Sequence, residues 1–278
     1  MKFRPRRSVL YMPGANARAL EKARELAADA LILDLEDSVA PDAKAQARAQ
    51  VAEAVAQAGY GRREIIIRIN GLDSPWGGDD MAMAAASGAD GILIPKVNGP
   101  QDLAVAAGLA QGKPLWAMME SPRAVLCALA IADCRLAEAF VIGTNDLIKD
   151  SRMSGAQGRL ALVPALSAIV LAARANGLDV IDGVYNDLRD AAGFEAEALQ
   201  GKLLGMDGKS LIHPSQLAPA NEIFAPQPAE IAQAEKIIAA FAAPEAQGKG
   251  VITLEGRMVE RLHLDMALRL AAIGKAIS

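Results

Sequence analysis

The chain has 278 residues, 52% of them hydrophobic and only 4% aromatic, and a formal net charge of −4. Its length suits one eight-fold α/β barrel, roughly 250 residues, with a C-terminal extension. A chain of this size buries about three-quarters of its unfolded surface, so a large core is available. The acidic balance and the lack of a large basic face argue against nucleic acid as a partner. Met1-Lys-Phe-Arg-Pro-Arg-Arg7 is basic but short, and no apolar run after it is long enough to serve as a signal peptide or a bilayer span. A cytoplasmic protein with no membrane partner is therefore expected.

In chain order, eight short apolar runs alternate with helix-compatible segments. The runs are Ser8-Val-Leu-Tyr-Met12, Ala30-Leu-Ile-Leu-Asp34, Ile65-Ile-Ile-Arg68 and Gly91-Ile-Leu-Ile-Pro-Lys96, then Leu115-Trp-Ala-Met-Met-Glu120, Phe140-Val-Ile-Gly143, Asp179-Val-Ile-Asp182 and Lys209-Ser-Leu-Ile-His213. Helices are predicted over 15–28, 42–58, 79–87, after Gly99-Pro100, after Ser121-Pro122, from Val163-Pro164 to Asn176-Gly177, and over 187–204. Ala225-Pro-Gln-Pro228 reads as a boundary. It divides a barrel domain, 1–225, from a helical extension, 226–278, with helices over 229–247 and 255–276 around a Gly248-Lys-Gly250 turn. Cys127 and Cys134 share a helical stretch and read as free core thiols.

Strand–helix alternation implies a parallel sheet, and eight units imply closure into a (β/α)8 TIM barrel. In such barrels catalytic groups stand at the C-terminal strand ends. Here those ends carry Glu36, Asp37, Arg68, Lys96, Glu120, Asp146, Asp182 and His213.

Glu120 and Asp146 follow consecutive predicted strands. Neighbouring strands lie about 4.8 Å apart, so both carboxylates can reach one hard cation such as magnesium, which keeps several waters. The alternative is two acids capping helix starts. Arg68 ends a buried strand, where a guanidinium can clamp a carboxylate or an enolate oxygen, or pair with Glu36 or Asp37. Strand alternation sends Asp34 and Glu36 to one face and Asp37 to the other. These acids can orient Arg68 or hold metal-bound water. Lys96 is read as an ion-pair partner of the acids rather than a Schiff-base lysine. His213 is read as a hydrogen-bonded structural histidine, and His263 as structural or interfacial. The chain carries neither a Gly-rich dinucleotide loop nor a Gly-x-Ser-x-Gly elbow.

Several phrases together resemble one family. They are Ser8-Val-Leu-Tyr-Met-Pro-Gly14, Asp34-Leu-Glu-Asp-Ser-Val-Ala-Pro-Asp42, Arg68-Ile-Asn-Gly-Leu-Asp73, Ile94-Pro-Lys96, Gly143-Thr-Asn-Asp146, Asp182-Gly183 and Gly208-Lys-Ser-Leu-Ile-His-Pro-Ser-Gln216. The chain resembles CoA-ester lyases of the citrate lyase beta-subunit and malyl-CoA lyase type, in the HpcH/HpaI aldolase superfamily. The resemblance implies a magnesium-dependent barrel, with Mn2+ as a possible substitute, that makes or breaks a carbon–carbon bond beside a CoA thioester. It implies Glu120 and Asp146 as metal ligands and Arg68 as the enolate-stabilising arginine. It places Tyr11, Lys22, Asn145, Asp146, Gly183 and Val184 against the CoA ester or substrate.

The resemblance also implies a homotrimer or hexamer whose C-terminal segment offers an acid to a neighbour's site. Here that acid is Glu260, in Gly256-Arg-Met-Val-Glu260, where relatives carry aspartate. Asn16 stands where malyl-CoA lyases carry arginine, and Arg18 is the nearby candidate to compensate. The implied reaction is reversible cleavage of a malyl-CoA-like 3-hydroxyacyl-CoA to an acyl-CoA and a 2-oxo acid such as glyoxylate. The alternatives are a malyl-CoA thioesterase, a free-acid aldolase, or a citrate lyase beta-like subunit active only with partners.

Overall fold

The computed structural model describes residues 4–243 and 246–277. Eight parallel strands close into a barrel in strict sequence order: β1 (Ser8–Pro13), β2 (Ala30–Asp34), β3 (Glu64–Arg68), β4 (Gly91–Ile94), β5 (Leu115–Met119), β6 (Ala137–Ile142), β7 (Asp179–Asp182) and β8 (Gly208–Leu211). The expected TIM barrel is the observed one. The strands read as near-continuous apolar runs because a barrel wall is covered on both faces. Alternate residues separate into two layers. Val9, Ile32, Ile66, Leu93, Trp116, Val141 and Ile181 fill the interior. Leu10, Leu33, Ile67, Ile92, Phe140 and Val180 pack outward under the helices.

One end of the interior is plugged. Arg6 stacks 4.6 Å above the Trp116 ring. Its Nε and Nη2 donate to Glu64 at 2.8 and 2.7 Å, and its Nη1 donates to Asp179 at 2.9 Å. The other end holds the C-terminal strand ends. At the plugged end, closure brings the chain before β1 hard against the start of β8. A Cβ on Gly208 would lie 1.8 Å from the Arg6 carbonyl oxygen. That neighbour is backbone and cannot yield, so Gly208→Ala is expected to cost about 1–3 kcal/mol. At about 2–4 °C per kcal/mol for a unit of this size, the melting temperature should fall by several degrees. An unchanged melting temperature would refute the close approach.

Local signals place the helices that position the site. Asn16 Oδ1 accepts from Ala19 N at 3.0 Å, which makes Asn16 the N-cap of helix Ala17–Lys22. This helix is shorter than the expected 15–28, because the chain must return for Asp29 N to reach Ser8 O at 3.1 Å. Ser121 caps Pro122–Leu126 and Asp190 caps Ala191–Leu203.

The expectation that no stretch is long and apolar enough for a bilayer needs correction. Residues Ala156–Ala175 pass on length and composition, with mean hydropathy 1.6. The stretch is broken by left-handed backbone at Gln157, Gly158 and Arg159, and its continuous α-helix is Val163–Ala175. Leu166, Ile169, Val170 and Ala173 of that helix are buried in the core.

The chain divides into two compact units, Arg6–Phe224 and Met1–Pro5 with Ala225–Ser278. The second contains helices Pro228–Ala242 and Arg261–Ile277. Between them lies an antiparallel hairpin, β9 (Val251–Leu254) and β10 (Arg257–Glu260). A helix from 255 was expected. Instead Glu255 and Gly256 take φ of 51° and 77°, a two-residue reversal that suits a hairpin and not a helix. The Val-Ile-Thr-Leu and Arg-Met-Val-Glu flanks supply the strands.

Candidate active site

Arg68 is the fixed point of the site. It ends β3 and is 6% exposed. Its Nε and Nη2 donate to Asp34 Oδ1 and Oδ2 at 2.6 and 2.7 Å, a bidentate fork. Its guanidinium lies 4.9 Å above the Tyr11 ring. Nη1 is held more loosely. It stands 2.9 Å from Glu36 Oε2 without hydrogen-bond alignment and 3.4 Å from Asp37 Oδ2.

Asp34, Glu36 and Asp37 therefore all face Arg68, which corrects the expected split between two faces. β2 stops at Asp34, and the Asp34 carboxylate accepts from Glu36 N and Ser38 N at 2.9 and 3.1 Å. The chain turns about this carboxylate, so strand alternation ends there. Lys44 Nζ fixes the turn from behind, donating to the Leu35 and Glu36 carbonyl oxygens at 2.9 and 2.7 Å. Burial pushes the Asp34 carboxyl up, but the Arg68 charge and hydrogen bonds outweigh it and hold Asp34 below its ordinary value. Glu36 lacks such bonds. Burial pushes it up to about 7, with Arg68 opposing only in part.

Glu120 follows β5, and Asp146 lies in the first turn of helix Thr144–Ser151. The two converge on one space. Lys96 Nζ occupies that space, 3.3 Å from Asp146 Oδ2, 3.6 Å from Glu36 Oε1 and 4.0 Å from Glu120 Oε1. Burial lowers the Lys96 pKa, but the three carboxylates outweigh that and hold the ammonium charged, which matches the ion-pair reading. Burial also pushes Glu120 above its ordinary value.

A cation at the meeting point of these acids is what their geometry favours, and the Lys96 ammonium supplies one in this structure. The donor set is all oxygen, which fits magnesium. Among the described residues no group of three or more His, Cys, Asp or Glu is arranged to hold an ion unaided. Glu120 and Asp146 would hold it with water and substrate oxygens completing the shell.

Two backbone features that strand-end reasoning missed shape the pair. Lys96 takes a left-handed φ of 53°, which turns its N–H onto Glu120 Oε1 at 2.7 Å. A Cβ on Gly143 would meet Glu120 Cβ at 2.4 Å, so the residue there must lack one. Neither requirement leaves a mark in hydrophobic periodicity.

The cleft over these groups has a volume of about 400 Å³. Its walls include Tyr11, Arg68, Glu120, Asn145, Asp146 and Val184, all singled out from the sequence, and also Ser38, Met118 and Asn186, which were not. Asn186 Nδ2 donates to Asn145 Oδ1 at 2.8 Å across the rim. Tyr11 points its hydroxyl at Met118 Sδ, 3.6 Å away. Lys22 ends helix Ala17–Lys22 and does not line the cleft; nor does Gly183. His213 Nδ1 accepts from Ser215 N at 3.2 Å, a turn cap, as a structural histidine should. Glu260 ends β10 in the other unit, where its N–H donates to His263 Nδ1 at 2.9 Å.

The family description HpcH/HpaI aldolase/citrate lyase matches residues 7–214. The chain is 49% identical over 274 residues to a (3S)-malyl-CoA thioesterase of Cereibacter sphaeroides, covering 99% of this chain and 96% of that protein. It is 37% identical over 296 residues to an L-malyl-CoA/beta-methylmalyl-CoA lyase of the same species, covering 95% and 93%. Among solved structures it is similar to protein CitE of Mycobacterium tuberculosis in complex with magnesium, acetoacetate and coenzyme A. The TM-score is 0.75 and the identity 28%, over 96% of this chain and 97% of that one.

Proposed function

Because this chain belongs to the HpcH/HpaI aldolase/citrate lyase family, we propose that its cleft binds a malyl-CoA-like 3-hydroxyacyl thioester, with Glu120 and Asp146 as ligands of magnesium. One observation carries the reading. An immobilised guanidinium, Arg68, and the converging pair Glu120 and Asp146 line the same cleft at the C-terminal end of the barrel. Magnesium, for which manganese can substitute, would supply Lewis-acid polarisation of the 2-oxo acid portion when bound.

Reversible Claisen-type cleavage is the reaction this geometry supports best. A base removes the substrate's hydroxyl proton. The adjacent carbon–carbon bond breaks, and its electron pair passes into the thioester as an enolate. The hydroxyl carbon becomes the carbonyl of the 2-oxo acid, glyoxylate for malyl-CoA. Arg68 meets the developing enolate charge. Asp34 occupies its Nε and Nη2, so Nη1, held more loosely beside Glu36 and Asp37, is the donor that would turn to substrate. Fixed donors aimed at charge that develops in the transition state carry much of such catalysis. In the synthetic direction Glu260, brought by a neighbouring copy in a trimer or hexamer, would take a proton from the acyl-CoA methyl group. Tyr11, Lys22, Asn145, Gly183 and Val184 are the proposed contacts to substrate and CoA.

A second reading has its own support. The relatives at 48–49% identity are named (3S)-malyl-CoA thioesterases, against 37% for the lyase. In hydrolysis, water attacks the thioester carbonyl, the carbon–sulfur bond breaks, and the thiol leaves with a proton. Arg68 would then meet the charge on the carbonyl oxygen. Purified protein with malyl-CoA and magnesium, assayed separately for glyoxylate and free thiol, separates the two. Glyoxylate without thiol is the lyase outcome; thiol without glyoxylate is the thioesterase outcome. Neither product, with EDTA making no difference, would sink both.

A further inference from the structure

Behind the cleft, between the barrel wall and helix Ala191–Leu203, three charged side chains take buried positions where apolar packing is the rule, with half-buried Glu197 at their edge. Asp182 and Lys209 are completely buried, and Arg159 is 2% exposed. Arg159 Nη1 and Nη2 donate to Asp182 Oδ1 and Oδ2 at 2.6 and 3.0 Å. Lys209 Nζ donates to Asp182 Oδ2 at 3.0 Å, to Glu197 Oε1 at 2.8 Å and to the Gly183 carbonyl oxygen at 2.7 Å. Asp182 Oδ1 also accepts from Gly183 N at 2.8 Å. The Gly183 peptide is therefore held on both sides by the cluster.

That peptide presses on the site. A Cβ on Gly183 would lie 2.5 Å from Thr144 Oγ1, and Thr144 is two residues before Asp146. Three residues further on, Asn186 joins Asn145 at the rim. The loop after β7 thus backs the first turn of helix Thr144–Ser151 at two points. Arg159 closes the circuit, because it lies on the excursion that leaves this helix. Its own φ is 53°, and Arg152 and Gln157 nearby take 57° and 55°. Of these three, Arg159 is the buried one, and its bonds to Asp182, Gln200 and the Glu197 carbonyl oxygen hold it in left-handed backbone.

We propose that Arg159, Asp182 and Lys209 form a buried charge brace that sets the position of Asp146, making Arg159 a positioning residue for the metal pair. The proposal rests on the reading of Asp146 as a metal ligand. Buried ion pairs contribute little net stability beside well-packed apolar residues, so a purely structural purpose would not require them. Groups that orient metal ligands from behind commonly govern affinity by about 10–100-fold.

The test is Mn2+ alone, titrated into the full chain without substrate and followed by its EPR signal, with melting temperature measured in parallel. Arg159→Met should weaken Mn2+ binding about tenfold or more, and Arg159→Lys should recover part of the loss. Arg174→Met is the structural control. It breaks the Arg174–Asp207 pair of 2.7 Å, outside the brace, and should lower the melting temperature while leaving Mn2+ affinity as in wild type. Wild-type Mn2+ affinity in Arg159→Met, with the melting temperature lowered as in the control, overturns the brace alone. A wild-type protein that binds no Mn2+ overturns the ligand reading and the brace with it. Should Arg159→Met fail to fold, Gln200→Ala decides. It removes the 2.8 Å acceptor of Arg159 Nε and keeps every charge. Weakened Mn2+ binding supports the brace, and unchanged binding overturns it.

Discussion

Replacing Arg68 by lysine should lower turnover by about 10²–10³-fold, the usual consequence of losing a preorganised donor to a developing oxyanion. Charge alone does not save the variant. Asp34 Oδ1 and Oδ2 engage two nitrogens of one planar group at 2.6 and 2.7 Å, and an ammonium cannot match that fork while keeping a third donor free for substrate. A lysine that reaches Asp34 is lost to the substrate, and one that reaches the substrate leaves Asp34 buried and poorly paired. KM should change less than kcat, because the enolate charge exists only beyond the ground state. Stability should also fall, since Asp34 is 1% exposed and loses one arm of its bidentate fork. Full turnover in Arg68→Lys would remove Arg68 from the mechanism, whichever product the assay finds.

Glu120→Gln and Asp146→Asn should each abolish tight Mn2+ binding, a larger effect than the about 10–100-fold expected of groups behind the ligands. The competing explanation, that both are helix-start acids, predicts something much smaller. Asp146 does lie in the first turn of helix Thr144–Ser151, where a carboxylate contributes about 0.3–1 kcal/mol through the helix dipole. Under that explanation Asp146→Asn melts slightly lower and binds Mn2+ as before. Under the ligand reading Glu120→Gln folds at least as well as wild type in the absence of metal. Burial already pushes the Glu120 carboxyl above its ordinary value, so neutralising it removes a desolvation cost. Loss of metal binding without loss of stability separates a ligand from a structural acid. Retention of wild-type Mn2+ affinity in both variants would end the metal assignment.

The position of Lys96 bears on both experiments. Its Nζ stands among the same carboxylates that would hold the metal, yet its side chain is 56% exposed. A flexible stem carrying a compact charge can leave when a divalent ion arrives. Cation exchange at this point, rather than filling of an empty hole, is the expected course of metal loading.

Strand–helix alternation pointed to a parallel sheet, because a wall covered on both faces makes short runs almost wholly apolar, and the count of eight units pointed to its closure. The alternation also pointed to which end of each strand to inspect, so Arg68, Glu120 and Asp146 stood out as candidates, and all three line one cleft. Local chemistry was less legible. The turn at Asp34 that gathers Glu36 and Asp37 about Arg68 depends on one carboxylate accepting two backbone N–H groups, and strand alternation cannot foresee where alternation stops. The β9–β10 hairpin was masked by a helix-compatible composition that two left-handed residues, Glu255 and Gly256, override. Only the tertiary structure could bring Arg159 to Asp182, or Lys96 N to Glu120, or require that Gly143 and Gly183 carry no Cβ. These are contacts between segments far apart in the chain or exclusions of volume, and hydrophobic period carries no information about either.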